Sequence, residues 1–474
     1  MQTKIFDNTD EGLAAAAQLI RDGETVVFPT ETVWGLGANA YSAEAVCGIY
    51  KAKGRPSDNP LIVHVADMET VGEIAAEIPQ TARQLAEKFW PGPLTIILKK
   101  KPCIPDAVSA GLETVGIRMP ENEIARRFIA ACGVPIAAPS ANISGKPSPT
   151  TFEHVLEDMN GRAAGIIRGG ECGVGVESTV IDLSGGVPTV LRPGGVSVEM
   201  LRDVLGEVRV SGEVQSDGVP KAPGMKYKHY SPKASVYILS GTAEGAAAFV
   251  KKRNALCRAA VMAFDEMKEI FSADIPFLSL GGMKDSESAA HRLFDCLREC
   301  DRLGVSEVYA PEIPENGLWR AVKNRLYKAA AYRVLKADSA KSVLFVCTGN
   351  TCRSPMAEGI FNMSYKNAVA ASAGIFAAEG AAVTPNAAEA AARFGADIRC
   401  HRAVQLTAEM INSADLVLTM TEEHKRSLPN MEKIRTISEF AGECGDVADP
   451  FGGDLETYIR CAEQLKRLIE MIEI

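Results

Sequence analysis

Residues Ser342–Val346 (SVLFV) run directly into Cys347-Thr-Gly-Asn-Thr-Cys-Arg353, and a helical pattern follows from about residue 354. A short apolar run bounded by turn residues reads as a buried strand. A sulfur, hydroxyls and a guanidinium at such a strand-to-helix junction constrain the fold more than anything else in the chain. Main-chain N–H groups of a tight loop and of a helix N-terminus converge there on one anion site. Gly349 is expected to take the unusual backbone angles of the loop. Arg353 offers a planar fork for two equatorial phosphoryl oxygens. The positive surroundings favour a thiolate at Cys347, which can attack phosphorus in line to give a phosphocysteine. Ser354 is placed to donate to the sulfur. Asp449, on the Pro/Gly-rich run DVADPFGG at 446–453, is the candidate general acid for the leaving group.

At 474 residues the chain has room for about three domains. Residues 1–208 alternate strands, read at 25–29, 61–65, 94–98, 134–138 and 180–183, with helices at 43–51 and 81–89. Gly- and Pro-rich turns follow most of these strands, so a twisted mixed sheet is expected. Residues 209–234 lose the pattern and read as a linker, either a lid over a pocket or a plain tether. Residues 235–338 resume as a small Rossmann-like α/β domain, with strands at 235–239, 260–264 and 307–310 and helices near 243–253, 286–303 and 317–336. After a second break at Lys336–Lys341, residues 341–474 read as an α/β domain with a parallel sheet, including a strand at 416–419 and a last helix near 454–472. The expected fold class is therefore α/β multidomain.

Lys and Arg number 51 against 60 Asp and Glu, a net charge of −9, which argues against a broad basic face for nucleic acid. A local basic pocket remains compatible with it. Hydrophobic residues at 46% and charged residues at 23% exclude a disordered or collagen-like chain. The 12 cysteines form no CxxC pair, so free thiols in a reducing compartment are expected and no metal site. No apolar run of about 18 residues and no signal peptide is present, which points to a cytoplasmic protein without a membrane span.

Short polar clusters mark the strand ends of the first 200 residues: FPTET (28–32), KAKGRPSDNPLIVHV (51–65), GIRMP (116–120), APSANISGKPSPT (138–150), GVESTV (175–180) and LRPG (191–194). Together they bring four or five cations, hydroxyls and Gly/Pro turns into strand-end loops, which suits a polyphosphate ligand. No GxxxxGK[ST] occurs, so this is not a P-loop ATPase.

In this order, with Lys53-x-Arg55 and Ser140-x-Asn142, the clusters resemble the threonylcarbamoyl-AMP synthase family and its YrdC-like fold. The stretch KAPGMKYKHYSP (221–232) and the domain up to 338 resemble the longer, two-domain form of that family. The resemblance implies that L-threonine, bicarbonate and ATP give threonylcarbamoyl-adenylate and pyrophosphate. The product would feed a downstream tRNA-modifying transferase complex. By resemblance, Thr32, His64, Arg118, Ala138 and Ser178 would hold threonine. Lys53, Arg55, Asn59, Thr114, Ser140, Asn142, Ser148, Arg192 and Tyr230 would hold ATP. Mg²⁺ is expected with the ATP, and no prosthetic group.

Residues 342–474 resemble the low-molecular-weight protein phosphatase family, from VCTGNTCRSPMAEGIF to the DPFGG loop. The resemblance makes Cys347 the nucleophile, Arg353 the phosphate ligand and Asp449 the acid. Thr348, Gly349, Asn350, Thr351, Cys352 and Ser354 then form the phosphate loop. Tyrosine-directed members tend to carry a bulky apolar residue where Thr351 stands, and tyrosines where Phe451-Gly-Gly stands. A Thr there resembles the bacterial protein-arginine phosphatase branch, so phosphoarginine in proteins is the expected substrate and phosphotyrosine the other. Cys352 is either a redox partner of Cys347 or a spectator thiol. Two rival readings stand beside these: an RNA-binding regulatory role for the first half, and a thiol-linked arsenate reductase using Cys347 with Cys352 or Cys400 for the last part.

Overall fold

The computed structural model describes residues 2–54, 56–57, 59–211 and 230–474. Its strands form three separate sheets flanked by helices, a multidomain α/β architecture. The largest has eleven strands, in the order Lys4–Phe6, Gly165–Ile167, Val26–Phe28, Gly35–Asn39, Ile136–Ala138, Ile62–His64, Thr114–Arg118, Leu94–Lys99, Thr179–Asp182, Thr189–Arg192 and Arg209–Val210. Its pairing is mixed, as the Gly/Pro turns suggest: Val26–Phe28 runs antiparallel to Gly35–Asn39, and Ile62–His64 runs parallel to Thr114–Arg118. The parallel register sets His64 beside Arg118 at the carboxyl ends of two central strands. The strands GLGAN (35–39) and TVGIR (114–118) escape sequence reading because glycine weakens the strand pattern. Arg209–Val210, expected to open the linker, instead pairs with Thr189–Val190.

A five-stranded sheet follows, in the order Phe277–Ser279, Ala259–Ala263, Glu307–Pro311, Ser235–Ser240 and Val334–Lys336. The helix expected near 317–336 is shorter, Trp319–Ala329. Ala331 and Tyr332 then take positive φ, and Val334–Lys336 pairs as an edge strand with Ile238–Ser240. Pairing with that neighbouring strand wins over the helical periodicity of the segment.

The last sheet has four parallel strands, in the order Ala368–Gly374, Lys341–Cys347, Leu416–Thr419 and Ile434–Thr436. The chain passes from Lys341–Cys347 to Ala368–Gly374 on one side and then crosses back to Leu416–Thr419 on the other, so the strand order reverses at Lys341–Cys347. In open α/β sheets ligands bind at the carboxyl ends of strands where the order reverses. Cys347 is the last residue of that strand.

The chain divides into two compact units. One holds residues up to Pro232 together with 279–302 and 313–331. In it the helix Ser286–Leu303 docks on the helix Phe152–Met159: Arg298 donates to Asp158 Oδ2 at 2.6 Å and to the Pro147 carbonyl at 2.7 Å. The other holds Lys233–Leu278, Leu303–Glu312 and Tyr332–Ile474. There Arg253, fully buried, donates to Glu307 and to the Val369 and Ala370 carbonyls of an edge strand of the four-stranded sheet. The break read at Lys336–Lys341 is a four-residue turn between two strands of this unit. Among the described residues no helix is long and apolar enough to cross a membrane.

Candidate active sites

The first site is a cavity at the strand ends of the eleven-stranded sheet. Its walls include Lys53, His64, Arg118, Ala138, Ser140, Asn142, Ser178, Arg192 and Tyr230, all expected from sequence. Among the described residues its walls carry four cations, Lys53, Arg118, Lys146 and Arg192, against the carboxylate of Glu177. That excess, in a partly enclosed low-dielectric space, favours an anionic ligand.

Each cation is held by specific partners. Lys53 ends the helix Ala43–Lys53 and is nearly fully buried, donating to the carbonyls of Ser140 and Asn142 at 2.5 and 2.6 Å. The Ser140 and Asn142 side chains hydrogen-bond each other at 2.6 Å, so Lys53 and the Ser140-x-Asn142 turn form one structural piece. Arg118 donates to Thr32 Oγ1 at 2.8 Å and pairs with Glu31 at 2.6 Å, which fixes Thr32 beneath the cavity. Arg192 donates to the Ser178 carbonyl at 2.9 Å and to Ser178 Oγ at 3.2 Å. Gly194 makes that approach possible: a Cβ there would sit 2.2–2.3 Å from the backbone of 177–179.

Electrostatics separate the titratable groups. Burial first, and then the Arg118 guanidinium, push His64 down to about 3, so its ring is neutral at physiological pH. Its Nδ1 is buried without a hydrogen-bond partner. Burial opposes ionisation of Glu177, but Arg325 and Arg192 outweigh it and hold the carboxyl near about 2.

Not every expected residue reaches the walls. Thr114 opens its strand whereas Arg118 closes it, roughly 13 Å away along the strand. Asn59 is buried, with its carbonyl accepting from the Tyr50 hydroxyl. Ser148 is buried and reaches the cavity through Glu177, donating to its carboxylate at 2.7 Å. Arg55 lies outside the described residues, as does residue 212–229 of the expected linker. Sequence reading missed Glu31, Glu177 and Arg325. Glu177 sits inside the GVESTV cluster, so an acid among apolar residues was a usable signal. Arg325, on the helix Trp319–Ala329, carried none.

Both carboxylates near the cavity are engaged by arginines, and among the described residues no cluster of acids, His or Cys could hold a metal ion.

The second site is the loop after Lys341–Cys347. Cys347 is 3% exposed. Its Sγ accepts the Asn350 N–H at 3.3 Å and contacts Ser354 Oγ at 3.0 Å. The helix Arg353–Ser364 starts directly behind the loop, so its N-terminal dipole and N–H groups face the same point. Asn350, with φ +54°, carries the left-handed conformation; Gly349 lies outside that region. This corrects the expectation placed on Gly349. Asn can adopt the αL region because its short amide bonds locally: Nδ2 donates to Ser354 and Ser372, and Oδ1 accepts the Val404 N–H at 2.8 Å. Glycine is required instead at 374, where a Cβ would lie 2.7 Å from the Thr348 carbonyl.

Arg353 is buried and donates to Asp449 Oδ2 at 2.6 Å, so the two predicted partners meet across 96 residues. Thr348 Oγ1 contacts His424 Nε2 at 2.9 Å. Burial, and secondarily Arg353, lower the His424 pKa. Cys352 Sγ contacts the Tyr458 and Thr384 hydroxyls at 3.5 and 3.6 Å. Thr351 is half-buried, and Cys352 and Cys400 are free thiols. Ser372, His401 and His424 buttress the loop from three distant segments and were not legible in sequence, and Glu358, on the helix that follows the loop, holds Ser372 at 2.6 Å.

A cation-lined, strand-end anion cavity and a thiol held among main-chain amides define a phosphate-handling enzyme with two sites. Family models agree with that division. Residues 18–194 match the model described as "Telomere recombination", residues 196–331 the threonylcarbamoyl-AMP synthase C-terminal domain, and residues 342–472 the low molecular weight phosphotyrosine protein phosphatase. The threonylcarbamoyl-AMP synthase of Bacillus subtilis is 46% identical over 340 residues, 70% of this chain and 97% of that protein. The protein-arginine-phosphatase of Bacillus subtilis is 39% identical over 140 residues, 27% of this chain and 93% of that protein. A crystal structure of P. abyssi Sua5 complexed with L-threonine superposes with a TM-score of 0.67 at 44% identity, over 70% of this chain and 99% of that one. The chain belongs to the threonylcarbamoyl-AMP synthase family, joined at its C-terminus to a member of the low-molecular-weight phosphatase family.

Proposed function

We propose that this chain is a cytoplasmic fused enzyme in which residues 1–338 make threonylcarbamoyl-AMP and residues 341–474 hydrolyse phosphoarginine in proteins. The convergence of Lys53, Arg118 and Arg192 on one cavity with hydroxyls of Ser140 and Ser178 carries the first half. Threonine's amine must condense with bicarbonate to give the carbamate and water, and the carbamate oxygen must then attack the α-phosphorus of ATP, expelling pyrophosphate. Both partners are anionic, so the buried cations offset their repulsion and stabilise the extra charge of the transition state. Neutral His64 suits the threonine side of the cavity because it adds no competing positive charge near the amine. Holding the reactants together is the larger effect, worth at best roughly 7–11 kcal/mol. The product would pass to a tRNA-modifying transferase complex.

In the second half, Cys347 attacks phosphorus while the Arg353 fork and the loop amides hold the phosphoryl oxygens. Asp449, next to Arg353 and half-exposed, protonates the leaving nitrogen, and water then cleaves the phosphocysteine. Thr351 leaves room beside the phosphate for a planar guanidinium. The test is a substrate matrix on the full chain. Pyrophosphate release should require threonine, bicarbonate and ATP together, and phosphoarginine should be hydrolysed faster than phosphotyrosine. Salt-dependent RNA binding without pyrophosphate release, or thiol-dependent arsenate turnover in place of phosphatase activity, would replace the corresponding half of the proposal.

A further inference from the structure

Among the described residues, Glu177 is the one carboxylate in the walls of the synthase cavity, and its partner comes from 148 residues away. Arg325, fully buried on the helix Trp319–Ala329, donates through Nε to Glu177 Oε2 at 2.9 Å and through Nη1 to the Pro193 carbonyl. Pro193 directly follows Arg192 and precedes the tightly packed Gly194. Glu177 Oε1 takes the Ser148 hydroxyl at 2.7 Å. The Tyr230 hydroxyl also bonds the Glu177 carboxylate. Tyr230 is a bulky residue at φ +64°, a conformation that persists only when its surroundings hold it. Those surroundings are Glu177, the Phe294 ring at 5.2 Å, and the bond from Ser231 N–H to the Gly145 carbonyl.

We propose that the Glu177–Arg325 pair is a positioning device for the nucleotide side of the cavity. Arg325 locks the carboxylate, the carboxylate fixes Ser148 and Tyr230, and the same guanidinium pins the 192–194 turn that carries Arg192. This rests on the reading of Ser148, Arg192 and Tyr230 as ATP contacts. On the threonine side, Arg118 donates to Thr32 and pairs with Glu31 rather than with Glu177.

The experiment uses the full chain with Arg325→Met, Arg325→Lys, Glu177→Gln and the double variant Glu177→Gln/Arg325→Met. ATP affinity is measured by calorimetry, the ATP and threonine KM by pyrophosphate release, and the thermal midpoint alongside. Arg325→Met should weaken ATP by about tenfold or more while threonine KM moves less than about threefold, the size expected for loss of a charge-assisted bond. Arg325→Lys should recover part of the loss. If the pair acts as one unit, the double variant should lose less ATP affinity than the sum of the Arg325→Met and Glu177→Gln losses, and simple additivity would count against it. A lowered thermal midpoint with unchanged ATP affinity, or equal effects on ATP and threonine, would overturn the proposal and leave a plain structural salt bridge. If the parent binds ATP yet releases no pyrophosphate, the functional reading fails while the affinity comparison still decides the pair. A parent that binds no ATP overturns both.

Discussion

Asn350 concentrates the folding requirements of the phosphatase loop in one side chain. It is fully buried at φ +54°, and its amide joins the loop to Ser354, Ser372 and Val404. Asn350→Ala strands the Val404 N–H, which costs about 1–3 kcal/mol, and removes three further bonds, to Ser354, Ser372 and His401, worth about 0.5–1.5 kcal/mol each. Alanine in the αL region adds about 1 kcal/mol. Since the freed serine hydroxyls can find other partners, a total of about 3–5 kcal/mol is expected. Asn350→Gly loses the same bonds without the backbone cost and should be milder by about 1 kcal/mol. The Sγ contact with the Asn350 N–H links this loss to turnover, so phosphatase kcat should fall along with stability. The assay follows p-nitrophenyl phosphate hydrolysis across a urea series for parent and both variants. If both stay within about 1 kcal/mol of the parent, or glycine is no milder than alanine, the account of the loop is wrong.

Three further outcomes are expected. Cys347→Ser should abolish phosphatase turnover and leave threonine-dependent pyrophosphate release intact; loss of both would contradict two independent sites. Thr351→Ile should shift preference from phosphoarginine towards phosphotyrosine, read as the ratio of the two kcat/KM values, and an unchanged ratio removes the basis for arginine specificity. His64 titrates near 6.5 when unfolded but near about 3 when folded, so the unfolded state takes up the proton first as pH falls. The stability it contributes is present above about pH 6.5 and is lost between there and about pH 3. His64→Asn should therefore flatten the fall in unfolding free energy between pH 6.5 and 4.5, above the range where Glu177, unfolded at 4.5, begins to matter. An unaltered slope in that window would show that His64 is not the group responsible.

Local chemistry made much of both sites legible. The apolar run before Cys347, the Arg353 that starts a helix and the Asp449 turn are each recognisable within a dozen residues, because strand, cap and turn preferences act over that range. The same holds for the synthase clusters, where Lys53 closes a helix and Arg118 and Arg192 close strands. The misassigned glycine shows the limit. Sequence marks Gly349 as the flexible point, yet the left-handed residue is Asn350, because bonds to Ser372 and Val404 exist only once distant strands are in place.

By itself, then, the amino-acid order determined the residue types of two oxyanion-binding loops and the α/β class that presents them. Only the tertiary structure decided which groups neutralise one another. Arg325 reaching Glu177, Glu31 holding Arg118, and Arg253 closing a sheet edge join segments far apart in the chain. A buried charge is tolerable only beside its counter-ion, and the counter-ion is chosen by packing, which no periodicity or short motif records.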